Sequence, residues 1–254
     1  MKFANVDGIR CEATKSGQRG ICPGCGAEVV ARCGRVKVNH WAHLSGKDCD
    51  SWHEAGTEWH RMWKNMFPVE WQEKDFVDQK TGEHHRADVH TPHGLTIEFQ
   101  HSAIKPEERE SREFFYKKII WVVDGSRLKN DWPRFFENQT KFTPIPLTAF
   151  PQIFVASRSE NIFPKSWTTS SCPVFFDFLG TNQPCSSKDA RNFLYCLLPR
   201  FNILNDAFFT FALSKNSLKE LCNKGMLYPY INDYIKAIRN KIIYTISKTK
   251  RAKR

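Results

Sequence analysis

The chain has no apolar run long enough to span a bilayer. Its opening residues, Met1 to Gly8, lack the apolar stretch of a secretory signal, so the expectation is a cytoplasmic protein with no membrane partner. Histidine is absent beyond residue 101. Acidic residues thin out in the same direction, and positions 235–254 contain no Asp or Glu. Beyond residue 125 there is no GxxxxGK loop, no internal repeat and no catalytic motif. The second half therefore offers neither a phosphate-cradling loop nor a solenoid, and histidine chemistry is confined to the first half.

What remains is ordinary globular material, 41% hydrophobic and 26% charged, with 20 Phe that suggest an aromatic core. At 254 residues it can form one large domain or two small ones. Lys and Arg number 38 against 27 Asp and Glu, a net charge of +11. Residues 51–150 are close to balance, so the excess lies outside them. An acidic centre with a basic periphery suits a metal enzyme that cuts a polyanion, although a generic basic protein has the same bias. The 9 cysteines, an odd number, point in a reducing compartment to metal ligation or buried thiols rather than a disulfide framework.

The most informative stretch is His85 to Gln100. Ala87 and Val89 alternate with Arg86, Asp88 and His90. Past Pro92-His93-Gly94, Leu95, Ile97 and Phe99 alternate with Thr96, Glu98 and Gln100. Period-two alternation about a Pro/Gly turn predicts a β-hairpin. Glu98 and Gln100 then share a face, and Asp88 across the hairpin can join them. Two close carboxylates repel unless a cation lies between them, and oxygen ligands suit Mg²⁺ or Mn²⁺. An ordinary hairpin with a polar wet face has the same pattern. The spacing resembles the active-site motif of the PD-(D/E)XK nucleases, with Gln100 in place of the usual Lys.

Earlier in the chain, Cys22-Pro23-Gly24-Cys25-Gly26 is a knuckle that aims two thiolates at one point. His40-Trp41-Ala42-His43 and Cys49 follow. Cys22 and Cys25 with His40 and His43 make a four-ligand zinc set; Cys49 is an alternative ligand, since His-x2-His is a short gap, and Cys33 is a further candidate. A redox CxxC is disfavoured because Pro-Gly inside the knuckle does not open a helix. Val29–Ala31 and Arg35–Val38 flank Cys33-Gly34 as in a hairpin.

Ser51 to Phe67 is expected to form a helix, with a capping box at Ser51–Glu54 and a stop at Pro68. Trp52, Ala55, Trp59, Met62, Trp63 and Met66 are its core stripe. His53, Thr57, His60 and Lys64 form one shoulder; Glu54, Glu58, Arg61 and Asn65 form the other. A first strand is expected within Val69–Phe76, a helix over Lys105–Tyr116 with Pro106 in its first turn, and a buried strand at Ile119–Val123. Pro173–Gly180 reads as a strand; Lys188–Leu198, Ser217–Asn223 and Tyr234–Ser247 read as helices. Thr143–Pro151 reads as a Pro-rich link. Cys172, Cys185, Cys196 and Cys222 are expected to be buried thiols.

Taken in order, the knuckle, His40-Trp41-Ala42-His43, Thr57-Glu58-Trp59-His60, His85–Val89, Ile97–Ser102, Arg112–Tyr116 and Trp121–Gly125 resemble the competence-protein CoiA-like nuclease family over about residues 20–125. The resemblance implies a zinc-knuckle N-terminus and a PD-(D/E)XK nuclease core acting on DNA. Carried over by position, Asp88, Glu98 and Gln100 are the catalytic set, with His60 from the helix. Members often have Glu four residues before that His. Gly56 stands there, leaving Glu58 or Glu54 as the helix acid.

The expected fold is thus α/β: a zinc subdomain (residues 1–50), an αβββαβ nuclease core (51–142), and a mixed α+β C-terminal extension with a basic tail (143–254). The expected function is a Mg²⁺- or Mn²⁺-dependent deoxyribonuclease with a structural Zn²⁺, whose partner is DNA. The alternative is a non-catalytic zinc protein that binds nucleic acid. The extension is a candidate surface for a protein partner.

Overall fold

The computed structural model describes residues 1–145, 153–157, 162–199 and 207–252. Strands β1 (Phe3–Val6), β2 (Ile9–Glu12), β3 (Arg19–Ile21), β4 (Glu28–Arg32) and β5 (His40–His43) form a small N-terminal sheet in the order β2-β1-β3-β4-β5. Its own core is small, built on Ala4, Val29, Ala31 and Trp41 with Cys22. The hairpin expected about Cys33-Gly34 is different: β4 pairs with β5, Arg32 opposite His40, so Arg35–Val38 belongs to the loop between them.

Helix α1 (Glu58–Lys64) starts seven residues later than expected. Its cap is Thr57, not Ser51. Thr57 Oγ1 accepts from the His60 backbone N–H, and His60 Nδ1 accepts from the Thr57 N–H, so a histidine closes the capping box. Ser51–Gly56 stays non-helical because Asp50 bridges to His84 and Trp52 stacks on the His85 ring.

A second sheet follows. Strands β6 (Gln72–Val77), β7 (His84–His90) and β8 (Thr96–Gln100) form an antiparallel meander. The expected turn is present: Gly94 at φ +76° donates its N–H to the Thr91 carbonyl, and such a φ favours glycine. Helix α2 (Pro106–Tyr116) then leads to β9 (Ile119–Asp124), which lies parallel to β8. After α3 (Asp131–Glu137) and β10 (Thr143–Ile145), the described part of the chain continues with β11 (Ile153–Ser157), β12 (Val174–Asp177), β13 (Phe193–Leu197), β14 (Ala207–Ser214), α4 (Lys215–Asn223) and α5 (Leu227–Ala252).

These strands extend the same sheet to nine, in the order β10-β11-β14-β13-β12-β9-β8-β7-β6. The position 142/143, taken above as a domain boundary, falls inside it, because β12 pairs in parallel with β9. Residues 193–197 are a strand, not part of a helix. The run Phe-Leu-Tyr-Cys-Leu is too short for its periodicity to choose, and β12 and β14 flank it as ladder partners. Pro146–Pro151, within the expected link, lies outside the described residues.

Apolar cores cover both faces of the sheet. Ile120, Val122 and Phe175 face Trp59, Trp63, Leu218, Ile231 and Tyr234. Ile119, Trp121 and Phe176 face Phe135 and Phe163 on the other side. Strands covered on both faces read as continuous apolar runs, which is why β9 and β12 were visible in the sequence. Cys172, Cys196 and Cys222 are buried thiols, but Cys185 is exposed in a loop. Among the described residues, no helix is long and apolar enough to cross a membrane.

Candidate functional site

Strands β7 and β8 pair over only two positions, Val89 with Ile97 and His90 with Thr96, and then split. Asp88 and Glu98 occupy the fork. Asp88 Oδ2 accepts from the Phe99 N–H at 2.9 Å, and Glu98 Oε1 accepts from the Asp88 N–H at 3.3 Å. Each carboxylate thus replaces a ladder carbonyl for the opposite strand. Every residue of β8 is buried, including Glu98 and Gln100, so this face is no ordinary wet face.

Cations and further acids surround the fork. Lys64 Nζ from α1 lies 2.7 Å from Asp88 Oδ1 and 2.9 Å from Glu73 Oε1. Arg112 from α2 lies 3.0 Å from Glu98 Oε2. Burial pushes the Glu98 carboxyl up, the neighbouring Asp88 charge pushes it further, and Arg112 only partly offsets them, so it stands at about 8. Burial opposes charge on Lys64, but Asp88 and Glu73 outweigh it and hold the amine above its usual range. Glu73 is held well below the carboxylate range despite burial, chiefly by Lys64 and the N-terminal amine.

His60 Nε2 lies 3.1 Å from the Phe99 carbonyl oxygen and 3.4 Å from Glu54 Oε2. Glu54 also accepts from Gln100 Nε2 at 3.0 Å and from the His101 and Ser102 backbone N–H groups. Burial raises the Glu54 carboxyl, but His60 and Ser102 overcome that and bring it to about 2. Gln100 Oε1 is buried with no hydrogen-bond partner. Glu54, His60, Lys64, Glu73, Asp88, Glu98 and Arg112 line one cleft of ≈ 140 Å³.

The cleft unites most of the sequence-derived candidates. Asp88, Glu98 and His60 line it, and Gln100 joins through Glu54. Glu58 does not: it is exposed at the first turn of α1 and is absent from the lining, whereas Glu54 enters because the chain before Thr57 is extended. Two members went unforeseen. Glu73 faces Asp88 across β6 and β7, at a residue with φ +48° between Gln72–Val89 and Lys74–Ala87. Arg112 read only as part of the α2 pattern.

The second cluster is Cys22, Cys25, His43 and Cys49, whose ligand atoms all lie within 4.8 Å of one another. Cys22 Sγ and Cys49 Sγ are 3.8 Å apart; Cys25 Sγ and His43 Nε2 are 3.3 Å apart. Tetrahedral zinc with bonds of about 2.3 Å to sulfur and ~2.0 Å to nitrogen places such atoms about 3.5–3.8 Å apart, so the donors fit that metal. The thiols show the same need for a cation. Against burial, the Cys25 and Gly24 backbone N–H groups and Arg86 lower Cys22, while burial and the Cys22 charge raise Cys49. Burial also lowers His43, which favours the neutral, ligating imidazole.

His40 is the correction here. Along β5, residues three apart point to opposite faces, so His40 and His43 cannot serve one metal. His40 turns its Nδ1 to the Val38 carbonyl and lines the acidic cleft. Cys49 takes its place. Cys33 is outside the quartet.

Fold and clusters together define a mixed α/β protein with a small N-terminal sheet and a Cys3His cluster that could hold zinc. Residues 5–51 match the family model described as the N-terminal domain of competence protein CoiA. A curated relative, competence protein CoiA of Bacillus subtilis (strain 168), is 27% identical over 135 residues, 48% of this chain and 36% of that protein. The chain is similar to competence protein CoiA, and the match spans about a third of that relative's length. No solved structure matches it.

Proposed function

We propose that the chain is a metal-dependent deoxyribonuclease that hydrolyses DNA phosphodiester bonds, in DNA uptake, processing or defence. One observation carries this reading: the Asp88 and Glu98 carboxylates converge at a strand fork, each held by a backbone N–H of the opposite strand. The order α1, β6, β7, β8, α2, β9, with β8 and β9 parallel, fits the αβββαβ core of the PD-(D/E)XK nucleases.

The oxygen donors suit Mg²⁺ or Mn²⁺, which Asp88 and Glu98 would hold and which supplies an activated water and charge for the scissile phosphate. The chain's own groups do the rest. Lys64 supplies the positive charge that Gln100 lacks, because its ammonium already lies against Asp88. His60 fixes the Phe99 carbonyl, and Glu54 fixes His60 and the Gln100 amide. Arg112 balances Glu98. Lys37 brings positive charge to the cleft lining, where it would meet a phosphate backbone.

A second reading is a non-catalytic zinc protein that binds nucleic acid. It is favoured by the pairs Lys64–Asp88 and Arg112–Glu98, which give each carboxylate a cation without a metal. Cleavage assays on single- and double-stranded DNA separate the two. The parent is expected to cut with Mg²⁺ or Mn²⁺ and not with EDTA, under conditions in which zinc is retained. Asp88→Ala and Glu98→Ala are each expected to lose on the order of a hundredfold or more. Gln100→Ala and His60→Ala are expected to lose less, and Glu58→Ala almost nothing. Cleavage that survives both carboxylate variants sinks the proposal, and a parent that cuts no DNA form with either metal establishes the second reading.

A further inference from the structure

One side chain joins the thiol cluster to the acidic fork. Arg86 lies on β7 two residues before Asp88. Its Nε donates to Asp75 Oδ1 at 2.8 Å, while Nη2 reaches Cys22 Sγ at 3.3 Å and Cys49 Sγ at 4.0 Å. Its backbone N–H donates to Asp50 Oδ2 at 3.1 Å, on the residue after Cys49. The side chain is 6% exposed, so water does little for its charge.

The knuckle is shaped to this contact. A Cβ on Gly24 would lie 2.5 Å from Asp75 Oδ1 and 3.1 Å from Arg86 Nη2. Only glycine lets the knuckle backbone rest on that ion pair. Charge points the same way. Three thiolates and one neutral imidazole around a dication leave one negative charge, and Arg86 is the buried cation beside it. A second strut runs from the N-terminal strand: the Lys2 and Phe3 N–H groups donate to Glu73 Oε2, Glu73 Oε1 holds Lys64, and Lys64 holds Asp88.

We propose that Arg86 is a positioning residue that couples the Cys3His centre to the acidic fork. A metal fixes the thiolates of Cys22 and Cys49, and the thiolates fix Arg86. Arg86, with Asp75 and Asp50, fixes the stretch of β7 that presents Asp88. The N-terminal sheet is then a wall of the candidate site rather than a separate nucleic-acid-binding module. The inference deepens the nuclease reading, but its main readout does not depend on cleavage.

The test uses the full zinc-loaded chain and the variants Arg86→Met, Arg86→Lys and Gly24→Ala. Zinc release to a chromogenic chelator and amide hydrogen exchange of residues 84–90 and 96–100 are followed side by side. Arg86→Met is expected to release zinc at least tenfold faster and to raise exchange in the fork, at the Asp88 and Phe99 amides, by a similar factor. Arg86→Lys keeps the charge but cannot span Asp75 and Cys22 together, so partial rescue of both readouts is expected. Gly24→Ala lifts the knuckle off an intact Arg86 and is expected to reproduce both effects, which keeps the test decisive if Arg86→Met does not fold. Parent-like zinc release in Arg86→Met and Gly24→Ala overturns the proposal. Faster zinc release with unchanged exchange in the fork overturns it too, because Arg86 then serves only the knuckle. If the parent cuts no DNA, the nuclease reading fails while both readouts still decide the coupling.

Discussion

Replacing Asp177 tests what the second half of the chain does for the cleft. Asp177 ends β12 and is fully buried. Its Oδ2 accepts from the indole N–H groups of Trp59 and Trp63, each at 3.0 Å, and from Lys215 Nζ at 2.9 Å. Its Oδ1 accepts from the Leu179 and Gly180 N–H groups. Both indoles belong to α1, the helix that carries His60 and Lys64 into the site. Asp177→Ala leaves two buried indole donors without an acceptor, at about 1–3 kcal/mol each. Lys215 is 19% exposed and can turn to water, so its share is small. The sum is about 2–6 kcal/mol, which brackets the roughly 3–5 kcal/mol that removing one partner from a buried ion pair costs.

For a chain of this size, that loss lowers Tm by roughly 10 °C, at about 2–4 °C per kcal/mol. Urea unfolding of the parent, Asp177→Ala and Asp177→Asn measures it; Asn retains an acceptor and is expected to lose about half as much. Asp177→Ala should also reduce DNA cleavage at temperatures where its far-UV spectrum is native, because α1 is released from the sheet. A loss below about 1 kcal/mol would refute the reasoning. The apolar packing of Trp59 and Trp63 would then suffice to hold α1, and Asp177 would be an incidental acceptor.

The zinc ligands and the basic tail give two further expectations. The parent should bind one zinc per chain under reducing conditions; Cys49→Ser and His43→Ala should lose it, and His40→Ala should retain it, as read by metal analysis after gel filtration. Deleting residues 248–254 removes Lys248, Lys250 and Arg251 of α5 together with Lys253 and Arg254, and each of those cations that contacts duplex phosphate should take ~0.9 from the slope of log affinity against log salt. An unchanged slope would make the segment a plain helix end.

The parts of the site that the sequence revealed are those with local periodicity. The hairpin was legible because Ala87, Val89, Ile97 and Phe99 alternate about a Gly94 turn. The knuckle was legible because Cys22 and Cys25 are two residues apart about Pro-Gly. The zinc set was half legible. His-x2-His looks like a ligand pair until β5 becomes a strand, and then strand geometry separates His40 from His43. The start of α1 was misplaced because Ser51–Glu54 has the residues of a capping box, while the contacts that keep it extended come from His84 and His85, over thirty positions away. Asp177 was illegible for the same reason, since Trp59 lies 118 positions before it. Nor does sequence announce Glu73, whose place depends on a positive φ and on the register of β6.

Charge placement bears on the choice between the two functional readings. A protein that only grips nucleic acid gains from cations along its surface and gains nothing from acids buried beneath them. Here Glu54, Glu73, Asp88 and Glu98 line one cleft with Lys64 and Arg112, and Lys37 lines it too, as does Arg61, which is paired with Glu12. Burial first, and then the Asp88 charge, hold the Glu98 carboxyl above the usual carboxylate range, with Arg112 only partly offsetting them. By count, the carboxylates of Glu54, Glu73, Asp88 and Glu98 share two side-chain cations, Lys64 and Arg112, with His60 beside Glu54. Lys64 cannot make up the deficit, because it is shared between Asp88 and Glu73. Four acids against two side-chain cations are suited to a divalent cation, and Lys37 in the same cleft suits a polyanion. That division of charge is what favours the nuclease over the simple binding module.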